Sequence, residues 1–355
     1  MTTNQDMRQD FIDQTGLTGD QVEYANPSRS QVDTMFYTGR DPWHRLGTRL
    51  DNPATAAEAI AAAGLEWEIA MEPLFAEHAD GMRSTEHYAT VRQDTGAIFG
   101  VGFSKRYTPL QNKDAFAFFD GVVGAGEAIY HTAGSLKQGR IVWILAKLPG
   151  DLGLEGDAVE KYIMLSNAHD GTQAVDMRFC VRRVVCMNTF KLALQDDQTN
   201  VRLRHTGNIL GRINSTRDLM GLGDAYFANF MRQVERLATT PLSPSESKDY
   251  FQSVVGFDRD MATGSQFTRR QNIVSRINAL YNGEGRGSTL ATTKNTAWGA
   301  FNAVQEYIEH HKPVKNQAKM NDLAVLEARE TASFYGVGQQ LEQRAWNRAL
   351  SLVDR

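Results

Sequence analysis

Cysteine is scarce in this chain of 355 residues, which contains only Cys180 and Cys186. The two residues lie six positions apart in a segment whose β-branched and aromatic residues predict one extended strand. Within a single strand, their Cα atoms would be much farther apart than the roughly 4.4–6.8 Å that a disulfide spans. The sequence therefore predicts two free, largely buried thiols in a reducing compartment.

Long apolar runs are also missing. The sequence has no stretch of about 18 apolar residues, the length that a membrane-spanning helix needs. Residues 1–30 are polar and acidic, unlike the basic and apolar segments of a secretory signal peptide. We expect a cytoplasmic protein that makes no membrane contact.

Catalytic and cofactor signatures are equally sparse. The eight histidines show no ligand spacing for a metal ion. The glycine runs at 121–126 and 283–289 lack the strand context or the Lys-Ser/Thr ending of nucleotide-binding loops. The sequence thus predicts no metal and no cofactor, and it favours a non-enzymatic protein. The open alternative is an enzyme that acts on nucleic acid or nucleotides through the adjacent His169 and Asp170.

The charge is small overall and unevenly distributed. Because the net charge is −4, any nucleic-acid site must be a local patch and not a property of the whole surface. Residues 1–30 contain five acids and two arginines, whereas residues 178–217 contain eight basic residues and two aspartates. The first segment is weakly patterned, which predicts a mobile or loosely docked terminus. The second segment predicts a cationic surface.

The most informative strand lies within residues 174–194, AVDMRFCVRRVVCMNTFKLAL. Because side chains alternate between the two faces of a strand, every second residue from Val175 to Val181 is expected to face the core. Arg178 and Arg182 then fall on the other face. This pattern predicts a sheet face with fixed positive charge, which suits an anionic polymer.

Turn signals and periodicity divide most of the chain into two parts. Hairpins are predicted about the turns at 94–96, 137–139 and 167–173. After about residue 206, helical patterns dominate. We predict an α+β fold, mostly an antiparallel sheet of hairpins with short helices, followed by a helical C-terminal domain. The predicted units are an acidic N-terminal segment (1–30), an α+β core domain (31–206) and a helical domain (207–355).

Four motifs are spread over most of the chain between residues 36 and 311. They are PWHRLG (42–47), RYTPLQN (106–112), NAHDG (167–171) leading to RVVCMNT (183–189), and TAWGAFNA (296–303) with Glu306 and Tyr307. In this order they resemble the phage/plasmid-like protein family described as domain of unknown function 932. The resemblance implies a protein of phages, plasmids or integrated elements, and it implies no particular reaction.

A second resemblance concerns topology alone. Consecutive antiparallel strands with basic faces, followed at once by a helix, are similar to the β-β-β-α core of the single-strand annealing recombinases. This similarity implies single-stranded DNA binding and annealing in recombination or replication. We expect a homo-oligomer. A further alternative is a non-catalytic interaction or regulatory protein of a mobile element.

The expected mechanism of binding is electrostatic. Basic side chains would hold the phosphates, Tyr107 would stack on a base, and the other bases would stay free to pair. The segment 105–112 has an alternative interpretation as a structural turn into a helix from Lys113, with Asn112 as its N-cap. The predicted nucleic-acid-binding residues are Lys105, Arg106, Tyr107, Lys137, Arg140, Arg178, Arg182, Arg183, Lys191, Arg202 and Arg204.

Overall fold

The computed structural model confirms the α+β fold class, with two sheets and a helical C-terminal region. The predictions for residues 1–30, Cys186 and Lys191 lie outside the described residues. The structure describes residues 35–38, 48–50, 54–123, 128–185, 189–190, 200–215, 220–256, 264–320, 325, 328–329, 332 and 336–354.

The strands, in chain order, are β1 (Met35–Thr38), β2 (Thr48–Leu50), β3 (Ile69–His78), β4 (Gly81–Arg92), β5 (Ala97–Phe103), β6 (Ile129–Leu136), β7 (Ile141–Lys147), β8 (Leu152–Leu154), β9 (Asp157–Ala168), β10 (Val175–Arg183), β11 (Thr189–Phe190) and β12 (Asn200–Leu203). The large sheet has the order β11-β10-β9-β7-β6-β1-β2, with β12 beside β10 and β8 beside β9. Its described pairings are antiparallel except for β1 with β2. The strands β3, β4 and β5 form a separate antiparallel sheet.

The three predicted hairpins are present. They are β4–β5, in which Gly96 adopts the positive φ that its turn requires, β6–β7, and β9–β10. Strand β7 is apolar on both faces, and it lies between β6 and β9 with nearly every residue buried. Local sequence signals therefore specified these pairings correctly.

Two of the helices begin at a capping box. Thr55 and Glu58 form a capping box before the first helix, and Ser243 forms another with Glu246. The helices are α1 (Ala56–Ala62), α2 (Asn112–Val123), α3 (Ile209–Ser215), α4 (Met220–Ala238), α5 (Pro244–Val255), α6 (Ser265–Ala279), α7 (Ala297–Glu306) and α8 (Val337–Val353), with π-helical turns at Leu280–Glu284 and Tyr307–His311 and a 3-10 turn at Gln317–Lys319.

The main core lies between one face of the large sheet and the helices. Phe179 of β10 contacts Tyr226 and Phe227 of α4, with ring centroids 5.8 and 5.5 Å apart. The same buried cluster runs from Phe36 to Leu352, so it includes residues from both sides of the predicted boundary at residue 206. The opposite face of the sheet carries a second, smaller buried cluster, which includes the buried Cys180.

Candidate nucleic-acid interface

Arg183 ends β10 and forms a fully buried ion pair with Asp157, the first residue of β9. Its Nε and one Nη donate to the two carboxylate oxygens over 2.6 and 2.9 Å. One of these oxygens also accepts hydrogen bonds from Thr292 Oγ1 and Trp298 Nε1, each at 3.0 Å. The pair therefore joins the sheet to the start of α7. A guanidinium held in this way has no access to a phosphate, which corrects the nucleic-acid role predicted for Arg183 to a structural one.

Arg182 is buried on the opposite face of the sheet, where strand register places it across from Glu160. Glu160 also accepts from Lys147 Nζ at 2.8 Å and from Tyr162 Oη at 2.7 Å. Burial opposes ionisation of Glu160, but these hydrogen bonds and the charge of Arg182 outweigh it and lower the pKa of Glu160. Burial, with a smaller contribution from Arg182, lowers the pKa of the neighbouring His131 to about 3. Arg182 is thus part of an internal charge cluster.

The predicted cationic face of β10 exists, but it is not a surface. The predicted alternation of side chains along β10 is confirmed. The four residues that were expected to face the core belong to the main buried cluster: Val175, Met177, Phe179 and Val181. Every residue of β10 is nevertheless buried, because both faces of this strand are covered. The nucleic-acid-binding roles predicted for Arg178, Arg182 and Arg183 are therefore corrected, because all three side chains are buried beside carboxylates, on two different faces of the strand. Alternation in a sequence distinguishes two faces without revealing whether the polar face meets water or a second layer.

Asp176 brings one buried and one exposed arginine together. Its Oδ1 accepts from Arg178 Nε at 2.6 Å, and its Oδ2 accepts from Arg202 Nε at 3.0 Å. The second contact follows from register, because Asp176 of β10 faces Arg202 of β12. The Arg178 side chain is 5 % exposed and that of Arg202 is 70 % exposed. Asp176 therefore orients a guanidinium whose outer part lies in solvent.

An open cleft of about 940 Å³ lies beside this pair. One part of its lining comes from the end of the sheet, and the rest comes from the C-terminal segment. The first part contains Lys137, Thr172, Gln173, Ala174, Asp176, Arg178 and Arg202, and the second contains Met320, Ala328, Ala332, Gly336, Val337 and Gln339. The cleft thus combines cations and amides with small or apolar groups.

Four chain segments converge at this end of the large sheet. Tyr107 pairs with Thr206, which brings the loop after β5 beside the end of β12. The amide of His169 donates to the Arg140 carbonyl at 2.8 Å, which joins the β9–β10 turn to the β6–β7 turn. The cations that these segments carry are here called the basic rim: Lys105, Arg106, Lys137, Arg140, Arg202 and Arg204.

The basic rim has few acidic neighbours. Across residues 103–108, 137–141, 169–178 and 200–206, the acids are Asp170 and Asp176. All rim residues are exposed except the half-buried Arg140. The fold thus gathers these six residues at one edge of the sheet, and their role in binding nucleic acid stays a prediction.

Tyr107 does not have the open ring that was expected of a stacking residue. It is half-buried, with its ring centroid 4.3 Å from that of Phe103 and 5.0 Å from that of His205. The rings of Tyr107 and His205 are nearly parallel, at 22°. Burial raises the pKa of the Tyr107 hydroxyl. Tyr107 therefore belongs to the aromatic packing that supports the rim, which corrects the predicted base-stacking role.

His169 and Asp170 are separated by their environments. The His169 ring is fully buried, and its Nε2 donates to Asn112 Oδ1 at 3.0 Å, because the Asn112 amide nitrogen already donates to the carbonyls of Leu65 and Trp67. These contacts also replace the N-cap role predicted for Asn112. Burial lowers the pKa of His169 to about 3, so the ring is neutral at physiological pH. Asp170 instead accepts from the amide and hydroxyl of Thr172 in its turn.

Sequence reasoning missed Asp157, although a signal was present. Asp157 is in phase with Val159, Ile163 and Leu165, which all face the main core. An acid at a core-facing position of a strand requires a buried partner. The lining of the cleft by the C-terminal segment had no comparable local signal.

The described residues contain neither a metal-binding cluster nor a membrane-spanning helix. No group of three His, Cys, Asp or Glu residues in this part of the chain could hold a metal ion. No helix among the same residues is long and apolar enough to cross a membrane.

Comparison with known proteins gives one family. The family model "Domain of unknown function (DUF932)" matches residues 101–329, which include the rim, the buried Arg183–Asp157 pair and most of the helical half. No curated protein and no solved structure matches the chain.

Proposed function

We propose that this chain, which belongs to the DUF932 family, binds single-stranded nucleic acid along the basic rim and in the adjoining cleft. The observation that carries the proposal is the convergence of cations from three separate segments at one edge of the sheet, where two carboxylates oppose them. A polyanion is the ligand that such a surface fits, because each phosphate that is neutralised releases condensed counterions.

Arg202 is the clearest phosphate ligand. A guanidinium has five N–H donors in a fixed fork. Asp176 takes Nε, and the side chain is 70 % exposed, so its outer donors are accessible from solvent. The carboxylate thereby fixes the direction of the fork without neutralising the whole edge.

The cleft favours a single strand over a duplex. Its volume of about 940 Å³ is of the size that accepts small organic groups, and its lining includes Met320, Ala328, Ala332 and Val337. Unpaired bases can enter such a space and contact apolar atoms, whereas bases inside a duplex cannot. A strand held by its phosphates would keep its remaining bases free to pair. We therefore extend the proposal to a cytoplasmic protein of a phage or plasmid that anneals single strands during recombination or replication.

The test is a binding titration with a labelled single-stranded 30-mer of DNA, the matching duplex and the RNA of the same sequence, across a salt series. The rim variant is Lys105→Ala/Arg106→Ala/Arg204→Ala. The matched control, Arg232→Ala/Lys248→Ala/Arg348→Ala, removes the same charge from exposed positions on α4, α5 and α8.

We expect the wild type and the control to bind the single strand with the same salt dependence. The rim variant should lower the slope of log K against log salt by up to about 2, which is about 0.7 for each lost phosphate contact. If the rim variant and the control variant bind equally well, the basic rim does not contact nucleic acid. Tighter binding of the duplex would refute the single-strand preference.

A further inference from the structure

The hairpin β3–β4 extends well beyond the small sheet. Strand β5 pairs with β4 only over Tyr88–Arg92, so residues 74–87 form a two-stranded ribbon, here called the arm. Its five-residue strand 74–78 is about 17 Å long at about 3.4 Å per residue. Most arm residues are exposed on both strands. A two-stranded ribbon of this kind gains little stability by itself in water, which suggests that it serves contact with another molecule.

The arm carries two large apolar side chains in solvent. Phe75 is 53 % exposed and Met82 is 66 % exposed. Strand register pairs Phe75 with Ser84 and Glu77 with Met82, so these four residues share one face of the ribbon. Exposed apolar groups that are clustered in this way mark interaction sites.

Apart from these apolar residues, the arm and the strand ends that join it to the small sheet are mainly acidic. Residues 69–87 contain Glu72, Glu77, Asp80 and Glu86 against a single base, Arg83, which pairs with Asp80. The surface that receives the arm must therefore be basic and must also offer apolar contact.

Strand β5 and the loop that follows it carry both kinds of residue. Ile98 and Val101 of β5 are 54 % and 65 % exposed. They pair with Val91 and Ala89 of β4, so they share one face of the small sheet. The exposed Lys105 lies four residues after Val101, and the exposed Arg106 is the next residue after Lys105. We call Ile98, Val101, Lys105 and Arg106 the receiving patch.

We infer that the arm of one molecule docks on the receiving patch of a second copy of this chain. Phe75 and Met82 pack on Ile98 and Val101, and Glu77 faces Lys105 and Arg106. The arm and the patch are different surfaces, so the contact is head-to-tail and can continue into a ring or a filament. This association goes beyond the proposed function and does not depend on it, although nucleic acid and the arm would share Lys105 and Arg106.

The first test is sedimentation velocity of the nuclease-treated, full-length protein from about 1 to 100 µM. We expect the wild type to associate as its concentration rises and to dissociate at high salt. Met82→Ser should raise the midpoint concentration about tenfold or more, because it removes one buried apolar side chain from the contact. The control Leu210→Ser changes an apolar residue that is 41 % exposed on α3, outside both surfaces, and should associate as the wild type does.

The second test exchanges charges. Glu77→Lys alone and Lys105→Glu/Arg106→Glu alone should each associate much more weakly than the wild type, because residue 77 then faces a patch of like charge. An equal mixture of the two variants should associate, because residue 77 of each variant then meets a patch of opposite charge on the other. The inference fails if the wild type remains a monomer throughout, if Met82→Ser associates like the wild type, or if the mixture stays monomeric. Because nucleic acid is absent from these samples, such a result leaves the proposed function untouched.

Discussion

Asp157 begins β9 and Arg183 ends β10. Because the two strands are antiparallel, these residues lie side by side, and they form a fully buried ion pair. Both oxygens of the carboxylate are used by the guanidinium, and Trp298 and Thr292 donate to one of them as well. Two groups on the helical side and one on the sheet side thus depend on a single acid. The full set of hydrogen bonds to Asp157 forms only when both halves of the fold are in place.

Removal of this carboxylate should therefore be strongly destabilising. Asp157→Ala leaves the Arg183 guanidinium buried without compensation, which costs about 3–5 kcal/mol in the free energy of unfolding. Chemical denaturation measures this value. The control is Asp80→Ala, whose pair with Arg83 is exposed on the arm and should change stability by about 1 kcal/mol or less. A change of similar size in both variants would contradict the importance given to the buried pair.

The two kinds of arginine should separate in binding and stability assays. Arg202→Ala should reduce the salt slope for single-stranded DNA by about 0.7 and change the unfolding free energy by about 1 kcal/mol or less, because its ion pair with Asp176 is solvent-exposed on the arginine side. Arg183→Ala should lower stability by about 3–5 kcal/mol and, at a temperature where it is folded, keep the wild-type slope. Retention of the full slope in Arg202→Ala would show that this residue makes no phosphate contact.

Stability should decrease as the pH falls below about 6.5. The pKa values of His131 and His169 are lowered to about 3 by burial, so both rings are neutral in the folded protein, whereas in the unfolded chain they take up protons below about 6.5. Above that pH the two histidines are neutral in both the folded and the unfolded state, so they do not change the free energy of unfolding. Between pH 6.5 and 5, each buried histidine should remove about 2 kcal/mol, or about 1.4 kcal/mol per pH unit.

The pH effect can be assigned by variants. His131→Gln should reduce the dependence of the unfolding free energy on pH by one proton between pH 5 and 6.5. Val142→Ala, a buried change with no titrating group, should lower stability by a similar amount at every pH and leave that dependence unchanged. Identical pH profiles for the wild type and His131→Gln would mean that the histidine is accessible in the folded state.

Gly299 should tolerate no side chain. It lies in the first turn of α7, where an added Cβ would be 1.8 Å from the Thr293 carbonyl oxygen, a backbone atom that cannot move aside cheaply. Gly299→Ala should destabilise the protein by about 1–3 kcal/mol or more, which thermal or chemical denaturation would detect. Gly96→Ala provides a contrast, because its Cβ meets no atom within 4 Å and only the positive φ of 69° is unfavourable. The order of the two effects would be reversed if backbone conformation mattered more than the close approach.

Much of the fold could be predicted because its signals are local. The Thr55 capping box, the turn at Gly96 and the alternation of β10 each depend on residues within a few positions of one another. Tyr107 and Asn112 were predicted less well. Their neighbours His205, Leu65 and Trp67 come from distant segments, and no short pattern announces those contacts.

The sequence by itself determined which residues alternate, which segments turn and where basic residues are concentrated. Only the tertiary structure decided which of those basic residues meet water. Arg183 and Arg202 belong to one basic segment and have the same charge, yet one is enclosed against Asp157 and the other is open beside Asp176. The physical reason is that burial depends on the layers packed over a strand, and those layers come from residues more than a hundred positions away.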